Sequence, residues 1–147
     1  MKFVLLFAIV LALSIPTFAA DNLRLNQKLD YSSDSQDGPL ISGDHLQDGP
    51  AAGKPNYVII YGEGCYNSKR QARRTVSLWE KYKGRVNFVV VDLDQEHSPA
   101  QQELLKKYYR GYIPHVVVLD SSDGAVYNSS GEVDESTISS ILDKALL

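Results

Sequence analysis

The sequence holds one cysteine, one tryptophan and one methionine in 147 residues. A lone cysteine excludes the disulfide framework that staples many small exported domains, because the chain has no second thiol to pair with it. Cys65 is then a buried packing residue, an intermolecular partner or a reactive thiol. Long runs of like charge are missing too, and the formal net charge is −3. The chain therefore lacks the basic face that a nucleic-acid binder needs to displace phosphate counterions. His45 and His97 stand apart with no ligand spacing, so neither a metal nor another cofactor is expected. Past the N-terminal stretch no apolar run is long enough to span a membrane.

What is present begins with Lys2, then apolar Phe3 to Ile15, then Pro16-Thr17-Phe18-Ala19-Ala20. Residues 1–20 read as an export signal, cleaved after Ala19 or Ala20, with a periplasmic or extracellular destination. Thr17 at the −3 position suits the first cut better than bulky Phe18 suits the second. The alternative is an uncleaved membrane anchor, but the stretch falls short of the ~20 residues a spanning helix needs. Residues 21–54 are rich in Asp, Ser, Gly and Gln and read as a flexible polar tail. Within it Gln36-Asp37-Gly38-Pro39 recurs as Gln47-Asp48-Gly49-Pro50, a short duplication in a linker.

From residue 55 to residue 147 the pattern is that of one α/β domain. Tyr57 to Tyr61 and Val86 to Asp92 are continuous apolar runs, expected as strands buried on both faces. Between them a helix is expected from Tyr66 to Lys83. Its predicted stripe is Ala72, Val76, Trp79 and Lys83, flanked by Leu78 and Tyr82, with Gly84 as the stop. Ser98-Pro99-Ala100-Gln101 opens a second helix, with Ser98 as cap and Gln101 reaching back in a capping box. His115 to Leu119 and Ala125 to Asn128 should form a hairpin, and Asp134 should cap a last helix. The expected architecture is a central four-stranded mixed β-sheet flanked by helices.

Cys65 stands just after the first of these strands, at the start of the long helix. Free N–H groups and the positive end of the helix dipole favour an anion there, and the thiolate is the reactive form of a thiol. Ser68 lies one turn on, facing the sulfur. Lys69 and Arg70 add positive charge, or are simply solvated. The segment Tyr61-Gly62-Glu63-Gly64-Cys65-Tyr66-Asn67-Ser68-Lys69, the strand end Val89-Val90-Val91-Asp92-Leu93-Asp94, and Tyr109-Arg110-Gly111-Tyr112-Ile113-Pro114-His115 together resemble the thioredoxin family. The resemblance covers residues 55–147. It implies a thioredoxin-like fold, a cis Ile113–Pro114 bond facing Cys65, and a substrate groove walled by Gly64, Tyr66, Ile113 and Pro114.

The departures from that family narrow the chemistry. Ser68 stands where the second active-site cysteine is expected, Gly64 where tryptophan is usual, and Ile59 where the buried acid of the first core strand would be. A mixed disulfide at Cys65 could not be resolved from within the chain. Two functions are therefore expected to compete. One is monothiol exchange with protein or low-molecular-weight thiols and disulfides, with Cys65 and Ser68 as catalytic residues and His115 as a modulator. The other is a non-catalytic binding module that uses the groove near Pro114. For His115, an ordinary strand histidine is the simpler expectation. Tyr108, Tyr109 and Tyr112 are expected as core and groove wall, and Asn128-Ser129-Ser130 matches the N-glycosylation pattern.

Overall fold

The computed structural model describes residues 19–147. The export signal expected at the N-terminus lies outside the described residues, except for Ala19 and Ala20. The elements in chain order are β1 (Asp21–Leu25), β2 (Ile41–Asp44), β3 (Asn56–Tyr61), α1 (Tyr66–Tyr82), β4 (Asn87–Asp92), α2 (Pro99–Tyr108), β5 (His115–Leu119), β6 (Ala125–Ser130) and α3 (Glu135–Ala145).

Strands β3 to β6 form one sheet in the order β4-β3-β5-β6. β3 and β4 are parallel, in register from Asn56 opposite Asn87 to Tyr61 opposite Asp92. β5 runs antiparallel to β3, and β6 antiparallel to β5. Every residue of β3, β4 and β5 is buried, which is why these strands read as unbroken apolar runs. One face packs Tyr57, Ile59, Phe88, Val90, Val116 and Val118 against Leu78, Trp79 and Tyr82 of α1 and Ile138 and Leu142 of α3. The other packs Val58, Ile60, Val89, Val91, Val117 and Leu119 against Leu104 and Tyr108 of α2.

The segment expected as a flexible tail is folded onto the domain. β1 and β2 pair antiparallel, and Leu23, Leu40 and Ile41 lie in the same core as α1 and α3. Three apolar residues spread over a polar stretch leave no periodic signal, yet each removes apolar surface from water. Tyr61 secures the join, its hydroxyl accepting the Leu40 and Ile41 N–H groups at 3.2 and 3.4 Å.

Two smaller expectations change as well. The buried face of α1 is Ser68, Lys69, Gln71, Ala72, Thr75, Leu78, Trp79 and Tyr82, whereas Val76 is half-buried and Lys83 exposed. Polar side chains conceal this face because each has an internal partner. Gln71 accepts the Val133 N–H at 2.9 Å and donates to the Tyr57 hydroxyl, which also bonds Thr75 at 2.8 Å. Burial pushes the Tyr57 phenol up to about 12. At α2 the Ser98 hydroxyl accepts the Gln101 N–H at 3.2 Å, as expected of a cap. Gln101 does not reach back, because its amide donates to the Leu46 and Val90 carbonyls. Asp134 is the N-cap residue of α3 without a side-chain capping bond.

Candidate functional site

The loop between β3 and α1 carries Cys65. Gly62-Glu63-Gly64 ends the strand, and the Cys65 N–H reaches the Gly62 carbonyl at 3.4 Å in a tight turn. The loop is held from the turn that follows β4: the Glu63 N–H donates to Asp94 Oδ2 at 2.8 Å, and Gln95 donates to the Glu63 carboxylate at 2.6 Å. Cys65 is the N-cap residue of α1, in extended backbone, and its side chain makes no capping bond. It is a free cysteine, half-buried.

The Ile113–Pro114 bond is cis, as the resemblance implied. Ile113 leans over the loop. A Cβ added at Gly62 would lie 2.5 Å from Ile113 Cδ1, so a larger residue there would push the Ile113 methyl aside. The cis-proline segment and the Cys65 loop are thereby brought together. Pro114 itself is buried, and its carbonyl accepts the Gly131 N–H at 2.7 Å. Tyr112 is 72% exposed beside it, while Tyr108 is buried in the α2 face of the core.

The other expected site residues take different places. Ser68 is fully buried, and its hydroxyl accepts the Gly62 N–H at 3.4 Å; it braces the loop from below. His115 is buried and turned toward β6, with Nδ1 2.8 Å from Ser130 Oγ and Nε2 2.6 Å from Asn128 Oδ1. Both ring nitrogens are engaged there, so it behaves as an ordinary strand histidine. Tyr66 is half-buried with the Arg70 guanidinium 4.6 Å above its ring, and Arg70 pairs in turn with Glu132.

Lys69 is not solvated. It is fully buried, and its Nζ donates to the carbonyls of Asp30, Ser33 and Ser35 at 2.5, 2.8 and 2.7 Å, and to the Ser35 hydroxyl at 3.0 Å. Asp34 from the same segment accepts the Tyr66 N–H at 2.8 Å. Neither partnership could be read from the sequence, because residues 30–36 carry no apolar pattern. Next to the loop, Asp92 is buried, and its Oδ2 has no hydrogen-bond partner. Burial, with the Glu63 carboxylate adding to it, pushes Asp92 well above the usual carboxylate range, to about 7. Among the described residues no group of His, Cys, Asp or Glu is clustered to hold a metal ion.

No protein-family model matches the chain. A chloroplastic thioredoxin-like protein of Oryza sativa subsp. japonica is 28% identical over 117 residues, 80% of this chain and 44% of that protein. The thiol:disulfide interchange protein TxlA homolog of a Synechocystis strain is 32% identical over 80 residues, 54% of this chain and 43% of that protein. The chain thus spans less than half the length of these curated relatives. An uncharacterized thioredoxin-like protein from Clostridium perfringens superposes with a TM-score of 0.54 at 20% identity, over 65% of this chain and 73% of that one. Fasciola hepatica thioredoxin superposes with a TM-score of 0.51 at 21% identity, over 64% and 83%. Together with the strand order, the parallel β3–β4 pair and the cis Ile113–Pro114 bond, whose isoleucine meets the β3–α1 loop, these likenesses establish that the chain has the thioredoxin-like fold.

Proposed function

We propose that this protein is an exported member of the thioredoxin-like family that performs thiol–disulfide exchange through Cys65 alone. The observation that carries the reading is the placement of Cys65: half-buried, at the N-cap of α1, with its side chain free of a capping bond. A helix N-terminus stabilises negative charge, and the thiolate is the attacking form. The Cys65 thiolate attacks one sulfur of a partner disulfide, forms a mixed disulfide and expels the other sulfur as a thiolate. A second thiolate, from a small molecule or another protein, attacks the partner sulfur, leaves as the new disulfide and returns Cys65 to its thiolate. Ser68 supports the loop and cannot resolve the intermediate. For export, cleavage after Ala19 is favoured, because it leaves Thr17 rather than bulky Phe18 at the −3 position.

The test is incubation of the full chain with glutathione disulfide at pH 7, followed by intact-mass measurement. A glutathione adduct on Cys65 that glutathione then removes, and that is absent from Cys65→Ser, is expected. Failure of the wild type to form it would overturn the exchange reading. A binding module without covalent chemistry is then the better account. It is favoured by one observation: His115, the expected modulator, has both ring nitrogens engaged by Ser130 and Asn128.

A further inference from the structure

We infer that residues 30–36 are a strap that restrains Cys65 and is displaced when a disulfide partner engages it; the inference rests on the exchange reading. The strap touches the residues on both sides of the cysteine. Asp34 takes the Tyr66 N–H at 2.8 Å, and a Cβ added at Gly64 would lie 3.3 Å from Gln36 Cβ. A partner approaching along the Gly64–Tyr66 backbone meets these groups first.

Beyond Tyr31, which packs half-buried against the core, the strap is fastened by polar contacts. Lys69 Nζ binds three of its carbonyls and one hydroxyl, and the Arg73 guanidinium lies 5.4 Å from the Tyr31 ring. Asp30 folds the strap on itself by accepting from Ser32 and Ser33. No residue from Asp30 to Pro39 is buried, whereas Leu40 and Ile41 just beyond are. Segments with little apolar burial open at small cost while the core stays shut. Leu40 and Ile41 act as the anchor, and the strap can lift from Lys69 without unfolding the domain.

Lifting the strap has two electrostatic consequences of the same sign. The Asp34 carboxylate leaves the helix N-terminus, where it is a like charge to a thiolate. The Lys69 ammonium, carried on the first turn of α1, loses its carbonyl cage and is left as an uncompensated positive charge on that turn. Cys65 is therefore less reactive with the strap closed and more reactive with it open. A partner that displaces the strap would meet a thiol activated by its own binding.

The experiment compares the rate at which iodoacetamide alkylates Cys65 at pH 7 in the full-length wild type, Asp34→Asn and Lys69→Met, with folding verified by circular dichroism. Removing the Asp34 charge from the helix N-terminus should raise the rate roughly three- to tenfold in Asp34→Asn, and Lys69→Met should raise it less, because it loosens the cover but also removes the ammonium. An unchanged or lower rate in folded Asp34→Asn overturns the strap. Asp34→Asn alters only an exposed polar bond, so it decides the matter by itself if Lys69→Met does not fold. Alkylation needs no disulfide partner. Faster alkylation without any mixed disulfide would overturn the exchange reading and leave the strap standing.

Discussion

Asp92 is the residue whose surroundings contradict its chemistry. A carboxyl group opposite Tyr61, beside Glu63 and with one oxygen unpartnered is held up to about 7 by burial. Between the usual carboxylate value and that one, the folded chain binds a proton that the unfolded chain has released. Stability from this group is therefore lost as pH rises from about 4 to about 7. Asp92→Asn should remove that slope. At pH 8 it should stabilise the fold by about 1–2 kcal/mol once solvent screening is allowed for. Urea melts of both proteins at pH 5 and pH 8 measure it, and parallel pH profiles would show that Asp92 ionises freely in the folded chain. Lys69 presents the opposite case. It is as buried as Asp92, but every proton of its ammonium has an oxygen to meet, so charge and burial coexist.

At the scale of elements, the decisive pieces are β1 and β2. They are short and mostly polar, yet Leu40, the residue that leads into β2, is completely buried among the side chains of the α1–α3 face. Leu40→Ala should cost about 2–4 kcal/mol, the range for a truncated core leucine. The shift would appear in the guanidinium midpoint with little change in slope. A cost near zero would mean that β2 rests on the domain without belonging to its core. Helix α1 illustrates how polar residues enter such a core. Gln71 and Thr75 are buried because Val133, Tyr57 and each other supply their bonds.

For the whole molecule, the consequence is that the domain begins before β3. A chain starting at residue 55 would leave uncovered the face of α1 and β3 that Leu23, Leu40 and Ile41 protect, and would strip Lys69 of all its bonding partners named above. Such a truncated chain should lose its sharp thermal transition and bind a hydrophobic dye, while the chain from residue 20 melts cooperatively. Cooperative melting of the short fragment near the same temperature would return residues 21–54 to the status of an appendage.

Much of this was determined by the sequence alone. Short apolar runs rich in valine and isoleucine and bounded by glycine, proline or polar breaks favour central strands, so β3, β4 and β5 are legible, as are the glycine that stops α1 and the serine that caps α2. The position of Cys65 after β3 and the cis-proline segment were legible from their order along the chain, because local motifs survive without knowledge of distant partners. The tertiary structure alone decided what depends on contacts far apart in sequence. In the sequence Lys69 is a candidate surface cation, and only residues 30–35 supply its cage; Ser68 stands one turn from Cys65, and only the fold brings the Gly62 N–H to its hydroxyl. His115 was open between two roles until β6 took both its nitrogens. Residues 21–54 looked like a tail because three buried side chains among many polar ones carry no period. Whether a polar residue is buried is settled by which partner reaches it, and no local pattern encodes that partner.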